Sequence, residues 1–482
     1  MTGASGVVAA GHPATAEAGA WALREGGNAV DAAVAAVLTS FAAESPLTGL
    51  GAGGYMLIHD QEQSTLLDFF VSAPGREGGE RSSELVPAPV AFTPDVTQVF
   101  NIGAASCGVP GMASGLERAL ADYGTLGFAD LVGPAVNAAR EGVAVSATQA
   151  YMFHILAPIL TREQEGAGIY APDGQVLGEG EVFRWEDLAL ALERLAAEGA
   201  APFRSGDVAH EVADWVSERG GTLGRDDFAA YEPVAREPVR ARFRAWEVVT
   251  NPPPSSGGRL IALALEYLER QPECGVVETV AAMAEAQRAR AKLDEAASRL
   301  GSTTHITALD GDGGCASVTC SNGTGSGLIV PGTGVHVNNM LGEEDLNPLG
   351  FHRWPPGVRL PSMMSPTAIL RDGELVAGLG SAGSNRIRSA ILQTIIRLLV
   401  DELPVDRAVA APRLHFELGV LHAEPGIDED ALAALEARGT RTQRWRDQNM
   451  FFGGVQAVTR NPQTEAIDAA GDPRRGGAVA VA

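Results

Sequence analysis

Three hydroxyls and an imidazole stand side by side in the segment Gly301-Ser302-Thr303-Thr304-His305, where a charged helical pattern gives way to short strand-like runs. A hydroxyl becomes a useful nucleophile when a base lies within hydrogen-bonding reach. Short motifs discriminate weakly, and on local sequence alone a linker followed by the start of a strand is the better interpretation. The rest of the sequence must decide between a structural and a catalytic role for Thr303.

Two glycine-rich segments imitate known motifs but stand in the wrong context. Gly49-Leu50-Gly51-Ala52-Gly53-Gly54 reads G-x-G-x-x-G. A dinucleotide fingerprint follows a strand and opens a helix, whereas here a predicted helix precedes and a predicted strand follows. Gly323-Thr324-Gly325-Ser326-Gly327 has only the outline of the G-x-S-x-G serine motif and lies between predicted strands. We therefore expect no dinucleotide site and interpret the second segment as a turn.

Metal and cofactor chemistry has few candidates in this sequence. The nine histidines form no H-E-x-x-H pattern, and the four cysteines are too scattered for a paired zinc site or a disulfide framework. We expect these cysteines to be free thiols. Lys292 is the single lysine, which excludes a phosphate-binding P-loop and leaves one poor Schiff-base candidate in a charged helical stretch. The sequence therefore predicts neither a metal nor a cofactor.

The composition is that of one large globular unit with a strongly acidic surface. The chain has 482 residues, 45% of them hydrophobic, and a formal charge of −24. This charge disfavours binding to nucleic acid or to anionic membranes. No apolar run is long enough to span a membrane, and no basic region precedes the apolar start. A cytoplasmic protein is the resulting expectation.

The periodicity predicts helices and strands in a mixed order, with no internal repeat. A hairpin of two alanine-rich helices comes first, with a glycine ending the first helix and Asn28 capping the second. The predicted helices are 14–25, 29–43, Phe128–Glu141, Trp185–Glu198, Leu260–Leu268, 279–299, Arg386–Asp401 and Glu429–Arg438. The predicted strands are Tyr55–His59, Thr65–Phe70, His305–Leu309, Ala316–Cys320, Leu328–Val330 and Val335–Val337.

Several segments match, in order, the signature blocks of the gamma-glutamyltransferases, and the chain resembles this family over nearly its whole length. The blocks are Ala9–Pro13, Gly26–Ala33, Gly49–Gly54, Gly108–Gly111, Pro252–Gly258, Thr303–His305, Asn338–Met340, Met364–Thr367 and Gly380–Gly383. The resemblance implies an N-terminal nucleophile hydrolase of the α+β class with a four-layer αββα sandwich.

The resemblance also implies self-cleavage before Thr303, by attack of its hydroxyl on the Ser302 carbonyl. The products would be a large subunit, 1–302, and a small subunit, 303–482, which remain one intertwined unit as a heterodimer that could oligomerise further. The new α-amino group, which titrates near ~8, would act as the base. Gly383 and Ser384 would donate backbone N–H groups to the oxyanion, and Ser321 would hydrogen-bond the nucleophile.

The acyl-binding positions depart from the family pattern. Phe70 stands where the family has the arginine that holds the glutamyl α-carboxylate. Where the family has two paired serines, this chain has Ser362-Met363. Met340 stands at the place of a glutamine. Asn322 and an acidic residue, Asp345 or a neighbour in Glu343-Glu344-Asp345, remain to receive an ammonium group. The pocket is therefore expected to be more apolar.

The sequence thus predicts an autoprocessing amide hydrolase or acyltransferase acting on a small amide or peptide. Gamma-glutamyl or glutathione-type substrates and non-glutamyl acyl groups are both left open, since kinship does not fix a substrate. A catalytically inactive scaffold of the same fold is the alternative from another class.

Overall fold

The computed structural model describes residues 5–60, 62–78, 81–93, 96–291 and 303–482. Lys292 and Ser302 lie outside these residues. The strands, in chain order, are β1 Gly6–Ala10, β2 Gly53–His59, β3 Ser64–Phe69, β4 Val86–Thr93, β5 Val96–Ile102, β6 Val143–Ala144, β7 Val182–Phe183, β8 Val234–Arg236, β9 Val239–Phe243, β10 Trp246–Thr250, β11 Thr304–Asp310, β12 Cys315–Ser321, β13 Ile329–Val330, β14 Val335–His336, β15 Thr367–Arg371, β16 Glu374–Ala382, β17 Leu414–Glu417, β18 Val420–Ala423, β19 Arg441–Arg444, β20 Gly454–Arg460, β21 Ile467–Gly471 and β22 Ala478–Val481.

The α-helices, in the same order, are α1 Pro13–Arg24, α2 Ala29–Ala43, α3 Met112–Tyr123, α4 Phe128–Leu131, α5 Gly133–Arg140, α6 Ala147–Leu160, α7 Gln164–Tyr170, α8 Glu186–Glu198, α9 Ala201–Arg204, α10 Asp207–Glu218, α11 Arg225–Ala229, α12 Gly257–Glu269, α13 Val276–Ala291, α14 Arg386–Leu399, α15 Val405–Ala410 and α16 Glu429–Ala437. Among the described residues, no helix is both long and apolar enough to cross a membrane.

Two antiparallel sheets pack face to face and form the centre of the molecule. The first has the order β22-β1-β11-β12-β2-β3-β8, and the second the order β21-β20-β16-β15-β10-β9. β11 and β12 contact β16 of the other sheet, and β1 contacts β20 and β21. Burial of apolar side chains between the two inner faces is the main force that holds such a pair of sheets together.

Helices cover the outer face of each sheet. α1 and α2 lie on the first sheet, against β1 and β11, and every residue of α2 is buried. A helix that is apolar on all sides must be covered on more than one face. α2 packs against α5 as well as against the first sheet. α12 and α14 lie on the second sheet, and α13 packs against α12. This arrangement confirms the predicted four-layer αββα sandwich.

Most of the predicted elements are present, with shifted ends. The helical hairpin is confirmed, and the Asn28 side chain accepts hydrogen bonds from the backbone N–H groups of Val30 and Asp31. The single helix predicted over Phe128–Glu141 is wrong. It is two helices, α4 and α5, because Pro134 lacks a backbone N–H and begins a new helix instead of continuing the first.

The apolar start of the chain is an inner strand of the first sheet. Gly6–Ala10 pairs with β11 on one side and with β22 on the other, in register from Gly6 opposite Asp310. Its four apolar side chains are fully buried. A continuous apolar run of this length does not alternate, so it carries no signal of strand periodicity.

Candidate active site

Thr303 immediately precedes β11, a central strand of the first sheet. β11 pairs with β12 in a register that sets Thr304 opposite Cys320, so that Thr303 lies beside Ser321, the last residue of β12. Thr303 is buried, and the Ser321 hydroxyl accepts a hydrogen bond from the Gly323 N–H at 3.1 Å. The pairing of these two strands is therefore what brings the two hydroxyl residues together.

A tight turn from strand to helix follows β16 at the same end of the sandwich. Gly383 has φ 119° and Ser384 has φ 52°, and α14 begins two residues later at Arg386. A non-glycine residue in the left-handed region costs about 1–2 kcal/mol, and such strain is common at functional sites. The turn presents its backbone at the N-terminus of a 14-residue helix, where unpaired N–H groups and the helix dipole favour negative charge.

A cavity of about 370 Å³ joins these two features, and we call it the acyl cavity. It brings together most of the site residues that the sequence predicts. Its described lining consists of Phe70, Thr303, Ser321, Gly323, Met340, Glu343, Asp345, Leu346, Ser362, Met363, Met364, Ser384 and Ile387.

Two of the predicted site residues that the structure describes are not part of this lining. Gly383 adjoins the acyl cavity through its neighbour Ser384. The Asn322 side chain is buried and donates a hydrogen bond to the backbone carbonyl of His336 at 3.2 Å. Gly323, the next residue, lines the cavity in its place.

The lining of the acyl cavity contains no arginine or lysine among the described residues. Phe70 stacks on Tyr55, with ring centroids 5.5 Å apart. Arg359 donates hydrogen bonds to the backbone carbonyl of Phe70 at 2.6 Å and to that of Glu232 at 2.7 Å. Arg359 also pairs with buried Asp68 at 3.2 Å and borders a different cavity. Its guanidinium is thus held by protein groups, and Arg359 does not line the acyl cavity.

Two acidic side chains line the acyl cavity, which answers the question that the triplet Glu343-Glu344-Asp345 left open. They are Glu343 and Asp345. Burial, followed by the charge of Asp345, raises the pKa of Glu343 well above its ordinary value, which favours its neutral form. Asp345 lies beside the turn that contains Gly383 and Ser384, where its Oδ2 accepts a hydrogen bond from the Ser384 hydroxyl at 3.5 Å. The sequence predicted Glu343 only as an alternative to Asp345. The acidic triplet Glu343-Glu344-Asp345 was the signal for both residues.

His305 has a structural role in spite of its position two residues after Thr303, the candidate nucleophile. Its ring hydrogen-bonds Thr319 at 2.8 Å and Thr307 at 2.9 Å, between the two sheets. Burial lowers its pKa to about 3, so it is neutral. A Cβ on Gly380 would lie 2.2 Å from this ring, and only glycine leaves room for it. His305 therefore packs the sheets together and offers no base near neutral pH.

The glycines of the G-x-G-x-x-G segment allow two backbones to come close. A Cβ on Gly51 would lie 2.1 Å from the His336 carbonyl oxygen, and one on Gly53 would lie 2.8 Å from the Val71 nitrogen. A helix precedes this segment and β2 follows it. The glycines thus serve the close packing of neighbouring backbones. None of the four cysteines, all of them in described residues, forms a disulfide.

The fold and this site define an N-terminal nucleophile hydrolase, with the candidate nucleophile at the start of an inner strand of an αββα sandwich. The sequence model of the gamma-glutamyltranspeptidase family matches residues 15–292 and 276–482. The chain belongs to the gamma-glutamyltranspeptidase family, and it is accordingly a hydrolase or acyltransferase.

Its relatives include both acylases and glutathione hydrolases. The Acylase ACY 1 proenzyme of Pseudomonas sp. (strain V22) is 30% identical over 97% of this chain and 92% of its own length. The glutathione hydrolase proenzyme of Escherichia coli (strain K12) is 29% identical over 97% and 90%. The crystal structure of cephalosporin acylase from Bacillus halodurans superposes with a TM-score of 0.84 at 25% identity, covering 99% of this chain and 96% of that one.

Proposed function

We propose that this protein cuts itself before Thr303 and then uses Thr303 as an N-terminal nucleophile to hydrolyse amides whose acyl group carries no α-carboxylate. The observation that carries the substrate class is the acyl cavity, whose described lining combines Phe70 and three methionines with two acidic side chains and no cation. The self-cleavage rests on the T-T-H block at the start of β11 and on relatives that are proenzymes.

Cleavage before Thr303 supplies the base that the site otherwise lacks. The Thr303 hydroxyl attacks the preceding carbonyl, the peptide shifts from nitrogen to oxygen, and water releases a free α-amino group. A group of this kind titrates near ~8 and can take the hydroxyl proton of its own residue. His305 does not compete for this task because its pKa is about 3.

The two products would remain associated because both sheets contain strands from both sides of Thr303. In the first sheet β11 lies between β1 and β12, and in the second β15 lies between β10 and β16. Separating the products would break main-chain ladders in both sheets and expose the core between them. Cleavage thus leaves one folded heterodimer.

The acyl-enzyme would form with its oxygen at the turn after β16. Backbone N–H groups of Gly383 and Ser384 are the proposed oxyanion donors, and the loss of one such donor typically costs about 10²–10³ in rate. Ser321, beside Thr303 in the strand register, would hold the hydroxyl in position. Asp345 would bind an ammonium group on the acyl chain, and Ser362 would offer its hydroxyl to a polar atom.

Glutathione and other gamma-glutamyl donors fit this cavity poorly. Their α-carboxylate would meet the ring of Phe70 and the side chains of Met340 and Met363, with no cation in the described lining. A carboxylate that loses its hydration without gaining a partner is disfavoured by several kcal/mol. Hydrolysis of an uncharged or cationic acyl group is the favoured reaction, with transfer to an amine as the secondary one.

The test compares the purified wild-type protein with Thr303→Ala. We expect the wild type to consist of two chains and to hydrolyse an acyl anilide, and the variant to remain at 50.0 kDa and inactive. Thr442→Ala, on the distant strand β19, is the matched control and should be cleaved and active. An intact wild-type chain without activity would support the inactive scaffold instead.

We also propose a cytoplasmic location, which the four unpaired cysteines support because disulfides are rare in reducing compartments. Recovery of the protein with secreted or envelope markers on cell fractionation would contradict it.

A further inference from the structure

A second cavity, of about 500 Å³, also borders Thr303 and shares no other described residue with the acyl cavity. Its walls come from the end of β1, the C-terminus of α2 and the first turns of α6. The carbonyl that Thr303 attacks carries an acyl chain on one side and an amine on the other. Two cavities that meet at the nucleophile therefore provide one place for each half of the substrate.

The Glu44 carboxyl group lies in this second cavity, whose lining also includes Thr303. It accepts a hydrogen bond from the hydroxyl of Thr304, the residue that follows Thr303. A Cβ on Gly11 would lie 2.2 Å from Glu44 Oε2, so only glycine leaves room for the carboxyl group. This close approach gives a physical reason for the glycine in the block Ala9–Pro13.

The surroundings of Glu44 bring the pKa of its carboxyl group to about 7, where the charged and neutral forms are both populated. Burial raises its pKa from 4.5 to about 7, while the hydrogen bond from Thr304 and the positive charge of Arg475 limit the rise. Glu44 also caps the C-terminus of α2, where the helix dipole disfavours a negative charge. A carboxyl group of this kind can both give and accept a proton near pH 7.

The other titratable groups around the second cavity are fixed in one form at that pH. Burial lowers the pKa of His12 to about 4 and that of His305 to about 3, so both are neutral. Burial lowers the pKa of Arg475 to about 10, which leaves it charged. Behind the cavity, burial and the charge of Glu44 raise the pKa of Cys320, which stays a thiol. Among these described groups, Glu44 alone titrates near neutrality.

We propose that Glu44 is the acid that protonates the departing amine in the second cavity. This role rests on the proposed function of Thr303 and adds to it a catalytic residue on the amine side of the substrate. In this proposal the second cavity binds the amine half of the substrate. Met152 and Met450 would make the apolar contacts with it.

With Glu44 in this role, each proton that is transferred during acylation is returned during deacylation. During acylation the Thr303 α-amine takes the hydroxyl proton, the C–N bond of the tetrahedral intermediate breaks, and the nitrogen takes its proton from the Glu44 carboxyl group. During deacylation water attacks the ester and gives a proton to the Glu44 carboxylate. The C–O bond to Thr303 then breaks, and its oxygen recovers the proton from the α-ammonium group.

The test compares two leaving groups on the same acyl chain, using cleaved enzyme. A 4-nitroaniline leaves without much help from an acid, whereas an alkylamine must be protonated as it departs. We expect Glu44→Gln to lower kcat/KM for the alkylamide by at least about 100-fold and for the nitroanilide by less than about tenfold. Glu374→Gln, exposed at the far end of β16, is the matched control and should change neither value.

A second measurement needs no variant at Glu44. In the wild type, kcat for the alkylamide should fall as the pH rises through about 7, and kcat for the nitroanilide should not fall in the same range. Identical pH profiles, or equal losses for both substrates in Glu44→Gln, would overturn the role of Glu44 while leaving the proposed function intact. A cleaved wild type that hydrolyses neither substrate would overturn both.

Discussion

The acyl cavity predicts how the enzyme ranks four anilides that differ only in the charged groups of the acyl chain. Gamma-glutamyl anilide carries an ammonium and a carboxylate, 4-aminobutyryl anilide only the ammonium, glutaryl anilide only the carboxylate, and butyryl anilide neither. The described lining offers Asp345 to an ammonium and no cation to a carboxylate. We therefore expect 4-aminobutyryl to be the best donor, butyryl the next, gamma-glutamyl the third and glutaryl the poorest.

The magnitude follows from two costs of placing a carboxylate in this cavity. The first is lost hydration beside Phe70, which reaches several kcal/mol for an unpaired charge. The second is repulsion by Asp345, about 3 kcal/mol for unit charges ~6 Å apart at an effective dielectric constant of ~20. Because a carboxylate at the cavity mouth would keep part of its water, we expect a loss of about 1.4 kcal/mol or more, which is tenfold or more in rate.

The assay is kcat/KM for each anilide with fully cleaved enzyme, because this ratio reports differential binding of the transition state. Asp345→Asn serves as the matched variant, since the amide keeps the shape and can still accept a hydrogen bond from Ser384. It should lower the value for 4-aminobutyryl anilide and leave that for butyryl anilide unchanged. A wild-type preference for gamma-glutamyl over 4-aminobutyryl anilide of more than about tenfold would refute the reasoning, because a cation would then have to face the acyl group.

Two further predictions concern the turn at Gly383 and Ser384 and the effect of Glu44 on stability. Gly383→Ala should lower kcat by about 10²–10³, because it displaces a proposed oxyanion donor and its Cβ would lie 2.9 Å from the Gly453 Cα. Gly373→Ala, with φ 90° but nothing within 4 Å of the added Cβ, carries a similar backbone strain and should keep kcat, and equal losses would refute the oxyanion role. The raised pKa of Glu44 stabilises the protonated folded state below pH 4.5, and this contribution is lost as the pH rises to about 7. Relative to Glu44→Gln, the wild type should thus lose up to about 3 kcal/mol of unfolding free energy over that range, as denaturant titration at each pH would show.

The sequence predicted the sandwich and most of the acyl cavity because ordered blocks of residues carry that information. The helical hairpin, the strand that begins at Thr304 and the turn at Gly383 each coincide with a block whose residue types are set by close packing or by backbone conformation. Phe70, Met340 and Met363 could be placed at the acyl cavity because they fill positions that other family members occupy with polar residues. Strand pairing then added what no local pattern contains, namely that Thr303 lies beside Ser321.

The second cavity could not be predicted from the sequence because its walls come from distant parts of the chain. Glu44 follows an alanine-rich helix, and nothing in its neighbourhood distinguishes it from an ordinary solvated carboxylate. Its burial and its contact with Thr304 arise only when α2 packs against β11 and β12. The glycine of the block Ala9–Pro13 was the one available signal, and its meaning becomes clear only when the space beside Gly11 is measured.

The most direct test of the central claim is mass spectrometry of the purified protein before and after mixing with a slowly hydrolysed acyl anilide. The account predicts a small chain whose first residue is Thr303, and an added acyl mass on its N-terminal peptide after mixing. It predicts neither in Thr303→Ala, which should stay at 50.0 kDa. A wild-type chain that hydrolyses amides while it remains intact, or an acyl group attached to any residue other than Thr303, would contradict the account.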